Sequence, residues 1–391
     1  MSNSENISLY IHIPFCISKC TYCDFFSVPV QFAKTTVPQE YVDALCNEIS
    51  FRLNQYDVCK INTVYIGGGT PSLLSEKQIE QISDVIKEKD LTIDYEFTFE
   101  VNPDDVTQAL LLNLDKAGVN RISCGIQSFS EDVLKCVHRR ANLQQNYDCF
   151  KLFNSFWHKK LSVDVICGLP YETKNTLISG LDFLVKQNIP HISFYSLCVE
   201  EETPLGQEII TGKQKYNEDF SDELWIKGRD FLLSKGYIQY EVSNFCLPDF
   251  ECIHNMAYWT HKSYIGCGSG AAGTIYKTKD KQDFRYTNTK NIEEYIKFWS
   301  NSYKNHINIP QTEEIISGKT SKYEYFMMGL RTLRGVSPTE YEELFDEKMP
   351  QTVLKYINEK CRKSASGFYY LDNEQILFLN SFLLKILEMI N

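Results

Sequence analysis

The chain has 391 residues, of which 43% are hydrophobic and 23% are charged. This composition is typical of a globular protein that is long enough to bury a large core or to form several domains. The formal net charge of −11 argues against broad binding of nucleic-acid backbones, because that function needs a basic face. No apolar stretch reaches the ~18 residues of a membrane span, and the first residues lack the basic and apolar regions of a signal peptide. We therefore expect a cytoplasmic protein without a membrane span and without a nucleic-acid partner.

Short apolar runs alternate with longer amphipathic ones from residue 7 to about residue 243. The runs that predict β-strands are ISLYIHI, NTVYIGG, YEFTFEV, NRISCGI, SVDVICG and HISFYSL. Helical patterns lie between them and begin near Gln39, Ser75, Asp105, Ser130, Thr173 and Phe220. Strands that alternate with helices are typical of a parallel sheet, because parallel strands need a crossover connection. The repetition predicts an α/β fold that forms a partial or full (β/α) barrel over residues 1–240.

The pattern changes after about residue 240. Residues 241–273 are rich in Gly, Asn, Ser and aromatic residues without a clean period, so we expect irregular loop structure that carries a site, and we extend this segment to residue 300. From about residue 310 the pattern is helical again and ends in LDNEQILFLNSFLLKILEMI, whose apolar positions suit a helix that faces a core. We therefore predict a small, mainly helical C-terminal domain over residues 301–391.

Three of the fourteen cysteines, Cys16, Cys20 and Cys23, lie within eight residues and directly follow the first predicted strand. In a chain without an export signal, such a cluster indicates metal ligands rather than disulfides. Zinc remains the weaker alternative, because structural zinc sites usually combine two short ligand spacings and a second compact pair is missing here. Three thiolates suit a [4Fe–4S] cluster, in which they hold three irons and leave the fourth iron open to another ligand.

Other glycine and polar residues lie near the ends of later predicted strands. GGGTP (residues 67–71) follows the second strand, Glu100 ends the third, Gln127 follows the fourth and Asp164 lies within the fifth. In (β/α) barrels the carboxyl ends of the strands carry the chemistry, so these residues should meet the cysteines. Glycines allow a ligand close to the backbone, carboxylates accept hydrogen bonds from an ammonium group or from ribose hydroxyls, and Arg139 could bind a carboxylate. The set suits a zwitterionic nucleoside.

The CxxxCxxC motif with an aromatic residue before its last cysteine, followed by GGGTP, resembles the radical S-adenosylmethionine (SAM) superfamily. YIHIPFCISKCTYCDF, YIGGGTPSLL, FEVNP, AGVNRISCGIQSF and DVICGLP resemble more closely the branch of oxygen-independent coproporphyrinogen III oxidase and its relative HemW. This resemblance implies that the three cysteines bind a [4Fe–4S] cluster, and that the cluster can cleave SAM reductively. The resemblance also implies nine residues for SAM binding, namely Tyr10, Tyr22, Gly68, Gly69, Thr70, Glu100, Gln127, Arg139 and Asp164. In the oxidase, the last three of these are associated with a second SAM.

Two features distinguish the oxidase from its relative. The oxidase carries a further cysteine at the position of Phe25 and a longer segment before its cluster, whereas 15 residues precede Cys16 here. HNMAYW matches the HNxxYW signature of HemW-like proteins, for which the resemblance implies heme binding and delivery of heme to acceptors such as respiratory enzymes. An imidazole can ligate the heme iron, and aromatic rings can cover the macrocycle. The implied heme-binding residues are His254, Asn255, Tyr258 and Trp259.

Alternatives remain open for the HNMAYW segment and for the function. By residue type alone, His254 is more often a hydrogen-bonded core residue than a ligand, and Cys252 and His261 are alternative ligands nearby. Ala141 and Ala272 stand where the family usually has histidine. The alternative function is oxidative decarboxylation of coproporphyrinogen III to protoporphyrinogen IX. SAM cleavage in either case needs an electron donor.

Overall fold

The computed structural model describes residues 6–30, 36–276, 282–301 and 308–390. Within these residues a twelve-stranded mixed sheet is the largest feature, and two short two-stranded sheets accompany it. The strands are β1 (Ile7–Ile13), β2 (Phe15–Cys16), β3 (Val28–Pro29), β4 (Lys60–Gly68), β5 (Asp90–Val101), β6 (Arg121–Gln127), β7 (Lys160–Cys167), β8 (His191–Ser196), β9 (Ile238–Gln239), β10 (Asn244–Cys246), β11 (Tyr264–Cys267), β12 (Ala272–Ile275), β13 (Asp283–Asn288), β14 (Gln311–Ile316), β15 (Arg362–Lys363) and β16 (Tyr369–Tyr370).

Helices connect most of these strands and also build the C-terminal part of the chain. The α-helices are α1 (Gln39–Gln55), α2 (Glu76–Ile86), α3 (Gln108–Ala117), α4 (Glu131–Cys136), α5 (Leu143–Phe156), α6 (Lys174–Lys186), α7 (Pro204–Ile210), α8 (Glu218–Ser234), α9 (Ile253–Trp259), α10 (Ile292–Asn301), α11 (Gly318–Gly329), α12 (Pro338–Phe345), α13 (Gln351–Lys360) and α14 (Leu379–Ile390). Short 3₁₀ turns occupy Pro71–Leu73, Pro103–Asp105 and Gln375–Phe378.

Six parallel strands, in the order β1, β4, β5, β6, β7 and β8, form the centre of the large sheet. Each connection between them passes through a helix, as parallel pairing requires. β11 adds a parallel strand beside β1, and antiparallel strands extend the sheet to β14 at one end and to β9 at the other. The predicted α/β fold is confirmed, and it takes the partial-barrel form, because β14 and β9 are the two ends of the sheet in the described part of the chain.

All six predicted strands are present, and the predicted helices begin within about three residues of the expected positions. Two helices of the same region, α5 and α7, were not predicted. The apolar C-terminal pattern forms α14, whose Leu383 and Ile386 are buried in a second apolar core built from α11 to α14. The predicted division at residues 240 and 300 remains a prediction.

The expectation of irregular structure after residue 240 was wrong. The part of this segment from residue 241 to residue 275 forms β10, the two-turn helix α9 and strands β11 and β12. Each element is at most seven residues long, which is too short to show a period in the sequence. The expected helical start near residue 310 was also wrong, because residues 311–316 form β14 at the edge of the sheet. Its central residues are exposed and include Glu313 and Glu314, so no apolar alternation marks it.

The central strands have an apolar face and a polar face. On β1, Leu9, Ile11 and Ile13 are fully buried in the main core, while Ser8, Tyr10 and His12 alternate with them. Successive side chains of a strand point to opposite faces, so the second set faces the inside of the partial barrel. The barrel interior is therefore polar.

Arg52 on α1 ties this helix to the β13–β14 end of the sheet. Its fully buried guanidinium lies 3.3 Å from the carboxylate of Glu48 and donates hydrogen bonds to Asn288 and Gln311. The guanidinium carbon also lies 4.1 Å from the ring centroid of Tyr286. One side chain thus connects three elements that are distant in sequence.

We expect Arg52→Ala to lower the free energy of unfolding by about 3–5 kcal/mol, because it leaves the buried carboxylate of Glu48 without its cation. Lys116→Ala is the control, since Lys116 pairs with Glu80 at an exposed position and should contribute less than about 1 kcal/mol. Chemical denaturation of both variants measures the difference. Equal losses would contradict a structural role of the Arg52 pair.

Candidate functional site

A cavity of about 350 Å³ opens at the carboxyl ends of the central parallel strands. Cys16, Cys20 and Cys23 all line it, so the predicted cysteine cluster faces this cavity. Cys20 is buried and the other two are half-buried. Three thiols on one wall of a cavity are a donor set that fits an iron–sulfur cluster with one open coordination position.

The cysteine loop is fixed by backbone hydrogen bonds at both ends and in its middle. Val28 N–H donates to the carbonyl of Pro14 at 2.7 Å, which closes the loop. Thr21 donates to the carbonyl of Val137 at 3.1 Å and accepts from the N–H of Leu205 at 2.9 Å. The loop is therefore held by segments that precede α5 and begin α7.

Burial raises the pKa of the Cys23 thiol to about 11. The ligand form of cysteine is the thiolate, so a metal that binds Cys23 must displace its proton. Cys23 is half-buried and lines the cavity.

The GGGTP segment packs directly against the cysteine loop. A Cβ atom at Gly69 would lie 2.7 Å from the carbonyl oxygen of Phe15 and 3.0 Å from Cys16 Sγ. Gly68 has φ +119°, and a Cβ atom there would lie 2.5 Å from the ring of His12. Thr70 donates its hydroxyl to Cys16 Sγ at 3.5 Å. Only glycine fits at these two positions, which explains why the backbone can border the cavity so closely.

Two carboxylates, Glu100 and Asp164, line the cavity. Glu100 accepts hydrogen bonds from the Tyr65 hydroxyl at 2.8 Å and from the Gly68 N–H at 3.1 Å. Burial, and then the nearby charge of Asp164, raises the pKa of Glu100 to about 7. Burial also raises the pKa of Asp164, which accepts from Ser123 at 3.1 Å. Since both carboxylates are destabilised as anions, a cationic ligand would be favoured between them.

Arg139 adds a positive charge to the lining of the cavity. Its guanidinium donates to the Asn102 side chain at 2.7 Å and to the carbonyl of Gly125, and it lies 3.8 Å from Cys20 Sγ. Its Nε is buried and has no hydrogen-bond partner among the described residues. A donor in this state suits an anionic group of a ligand. Gln127, in the left-handed conformation with φ +66°, lines the cavity beside it.

Eight of the nine residues predicted to bind SAM line this one cavity. Tyr10 does not: it lies deeper in the partial barrel, where its hydroxyl is 2.8 Å from Nδ1 of His12. Residues that were not predicted also line the cavity, among them Tyr65, Asn102, Ser123 and Tyr195. Period-two alternation on β4, which puts Tyr65 on the same face as Gly67, is a signal that could have indicated Tyr65.

HNMAYW forms α9, and its residues lie outside the cavity. The side chain of His254 is 1% exposed, with Nδ1 2.7 Å from Thr63 Oγ1 and Nε2 2.8 Å from the Tyr258 hydroxyl. Its backbone N–H donates to Glu96 at 3.0 Å. Burial, and then the charge of Arg121, lowers the pKa of His254 to about 3, so the ring is neutral. In this conformation neither ring nitrogen is free to ligate an iron.

The other residues of the motif are more accessible. Asn255, Tyr258 and Trp259 are half-buried, and the ring of Tyr258 packs edge-on against Tyr264 with centroids 4.6 Å apart. The indole N–H of Trp259 is buried without a partner in the described part of the chain.

The alternative ligands near the motif are buried as well. The Cys252 thiol donates to Glu96 at 3.2 Å, and the ring of His261 stacks on Tyr276 with centroids 3.7 Å apart. Cys252 is no more open as a ligand than His254, whereas Nδ1 of His261 is buried without a hydrogen-bond partner among the described residues.

The chain is similar to known proteins in sequence and in fold. The family model described as "Radical SAM superfamily" matches residues 10–184. The chain is 33% identical over 386 residues to the heme chaperone HemW of Buchnera aphidicola subsp. Schizaphis graminum, covering 97% of this chain and 98% of that relative. It is 31% identical over 382 residues to the heme chaperone HemW of Escherichia coli (strain K12), covering 96% and 97%.

Among solved structures, coproporphyrinogen III oxidase (HemN) from Escherichia coli, a radical SAM enzyme, matches with a TM-score of 0.79. The match covers 97% of this chain and 89% of that chain at 19% sequence identity, so it supports the fold alone. The fold and the cysteine-lined cavity define a radical SAM protein. Within that superfamily, the chain belongs to the HemW family.

The helices of the described ranges include none that is both long enough and apolar enough to span a membrane.

We expect Gly69→Ala to lower the iron bound after anaerobic reconstitution with iron and sulfide by at least half, because the new Cβ must displace Phe15 or Cys16. Gly318→Ala is the control, since a Cβ atom there meets nothing within 4 Å. Iron per chain is measured for both variants, and circular dichroism checks the fold. Wild-type iron content in Gly69→Ala would show that the close approach does not position Cys16.

Proposed function

We propose that this protein binds heme and transfers it to acceptor proteins, and that it carries a [4Fe–4S] cluster that binds SAM. The observation that carries this proposal is the similarity over nearly the whole chain to proteins named heme chaperone HemW. The expected acceptors are respiratory enzymes, including membrane-bound ones, and the expected location is the cytoplasm. An electron donor is a further expected partner.

The residues around the cavity support the cofactor part of this proposal. Cys16, Cys20 and Cys23 would hold the cluster, which when bound supplies the electron for reductive cleavage of SAM. The carboxylates of Glu100 and Asp164 would accept hydrogen bonds from the SAM ammonium group or ribose hydroxyls. The backbone at Gly68 and Gly69 would lie against the ligand, with Tyr22 and Thr70 beside it. Arg139 and Gln127 would bind carboxylate and polar groups, of the first SAM or of a second.

For heme, the proposed residues remain His254, Asn255, Tyr258 and Trp259. Ligation by His254 requires that its hydrogen bond to Thr63 or to Tyr258 breaks, because both ring nitrogens are engaged. The rings of Tyr258 and Trp259 would then cover the macrocycle.

Heme titration of the reconstituted protein tests the proposal. We expect a shifted Soret band with the wild type and at least tenfold weaker heme binding with His254→Ala, because the iron loses its ligand. His191→Ala is the matched control: His191 is 2% exposed, and its two ring nitrogens are hydrogen-bonded to Ser162 and Tyr240. Transfer is then followed as loss of the Soret band from the protein and gain of heme by a respiratory apo-protein.

An unchanged Soret spectrum in the wild type would refute heme binding. Equal binding by wild type and His254→Ala would refute only the assignment of His254.

Decarboxylation of coproporphyrinogen III is the alternative function. Phe25 stands where the oxidase carries another cysteine, and it is 67% exposed at the mouth of the cavity. A surface phenylalanine cannot supply the thiol that this position has in the oxidase, so we consider the enzyme less well supported. Product analysis with SAM and a reductant distinguishes the two functions, because several turnovers of vinyl-bearing product would favour the oxidase.

A further inference from the structure

The SAM cavity and α9 are joined by a row of contacting side chains. The hydroxyl of Tyr65 donates to Glu100 Oε1 at 2.8 Å inside the cavity. The ring of Tyr65 packs against the ring of His254, with centroids 5.1 Å apart. His254 in turn is fixed between Thr63 and Tyr258. The row therefore begins at a cavity carboxylate and ends in the HNMAYW helix.

The carboxylate of Glu100 is held by two donors from β4. One is the Tyr65 hydroxyl, and the other is the Gly68 N–H, which binds Oε2 at 3.1 Å. The backbone donor is fixed by the strand, whereas the hydroxyl can be in place only if the Tyr65 ring keeps its orientation. That ring lies between Tyr10, 6.2 Å away between centroids, and His254. A change at His254 therefore loosens one of the two donors.

We propose that Tyr65 is a positioning residue for Glu100 in the SAM cavity, and that His254, through the Tyr65 ring, makes α9 part of the same site. The proposal rests on the proposed binding of SAM in this cavity. Coupling between two sites is reciprocal, so any ligand that displaces His254, a heme iron included, would weaken SAM binding, and SAM would weaken binding of that ligand equally.

The positioning role of Tyr65 can be tested through the protonation of Glu100, because it affects how SAM binding depends on pH. The titratable groups around the carboxylate are Tyr10, Tyr65, Arg121, Asp164 and Tyr195. Burial and Asp164 raise the pKa of Glu100, whereas the hydrogen bond from Tyr65 lowers it. Without the hydroxyl, the pKa of Glu100 rises further and the carboxylate form is lost at a higher pH. SAM binding that depends on the carboxylate would then fail at a higher pH than in the wild type.

The experiment measures SAM binding to the anaerobically reconstituted holoprotein by equilibrium dialysis, from mildly acidic to mildly alkaline pH. Tyr65→Phe should weaken binding about tenfold near neutral pH, as expected for a hydrogen bond to a charged group, and should move the midpoint to higher pH. Tyr95→Phe is the control on the strand that carries Glu100, since its hydroxyl binds the carbonyl of Gly118. Each variant is compared with the wild type at the same pH, so that the titration of SAM itself affects both equally.

His254→Phe tests the second half of the proposal, and Tyr258→Phe is a milder variant that removes one hydrogen bond of His254. Each should weaken SAM binding, and each combined with Tyr65→Phe should weaken it less than the product of the single effects. His191→Phe, an equally buried histidine without contact to Tyr65, should stay within about twofold of the wild type.

Three outcomes separate the hypotheses. Wild-type affinity and midpoint in Tyr65→Phe would overturn the positioning role, and multiplicative effects of the two substitutions would overturn the link to α9. A wild-type protein that holds its iron but binds no SAM would overturn the proposed SAM site, and the inference with it. Iron per chain is measured for every variant, so that loss of the cluster is not mistaken for loss of SAM binding.

Discussion

Burial of polar side chains inside a parallel sheet is the constraint on which this structure depends. A polar group without a hydrogen-bond partner in the interior is costly, so most inward-facing polar side chains are matched by another. Glu96 accepts from the N–H of His254 and from the thiol of Cys252, and His191 is bound by Ser162 and Tyr240. These pairs fill the deeper part of the partial barrel with its own side chains, and the cavity lies at the end near the cysteines.

Helix α9 and the residue before it supply hydrogen-bond donors to this polar interior. The helix brings two groups, the His254 backbone and the Cys252 thiol, to a carboxylate that is 1% exposed. Arg121, on the neighbouring strand, adds a positive charge that is also buried. His254, which helps to complete the polar interior, is thus also the first residue of HNMAYW. A role in packing and a role in heme binding need not compete, provided that one hydrogen bond of His254 can open at a modest cost.

Most of the fold and of the cavity could be predicted from the sequence. The six strands are short apolar-rich runs between amphipathic helices, and the carboxyl ends of parallel strands meet at one edge, so Glu100, Gln127 and Asp164 were expected together. The surroundings of His254 could not be predicted, because its partner Thr63 is 191 positions away in the chain. Tyr65 opens the YIGGGTPSLL stretch, but its role depends on a carboxylate on the next strand. Pairings across strands of this kind are set by register, which single-sequence periodicity does not fix.

The backbone hydrogen bonds that hold the cysteine loop have a consequence for how the protein would respond when oxygen destroys a bound cluster. Pro14, Val137 and Leu205 hold the loop through backbone atoms, so these hydrogen bonds do not involve the cysteine thiols. Oxidative loss of a cluster would then remove a cofactor without unfolding a segment, and would expose no new stretch of chain to proteases. In contrast to small domains that fold only around their metal, such a protein would stay folded until a new cluster is assembled.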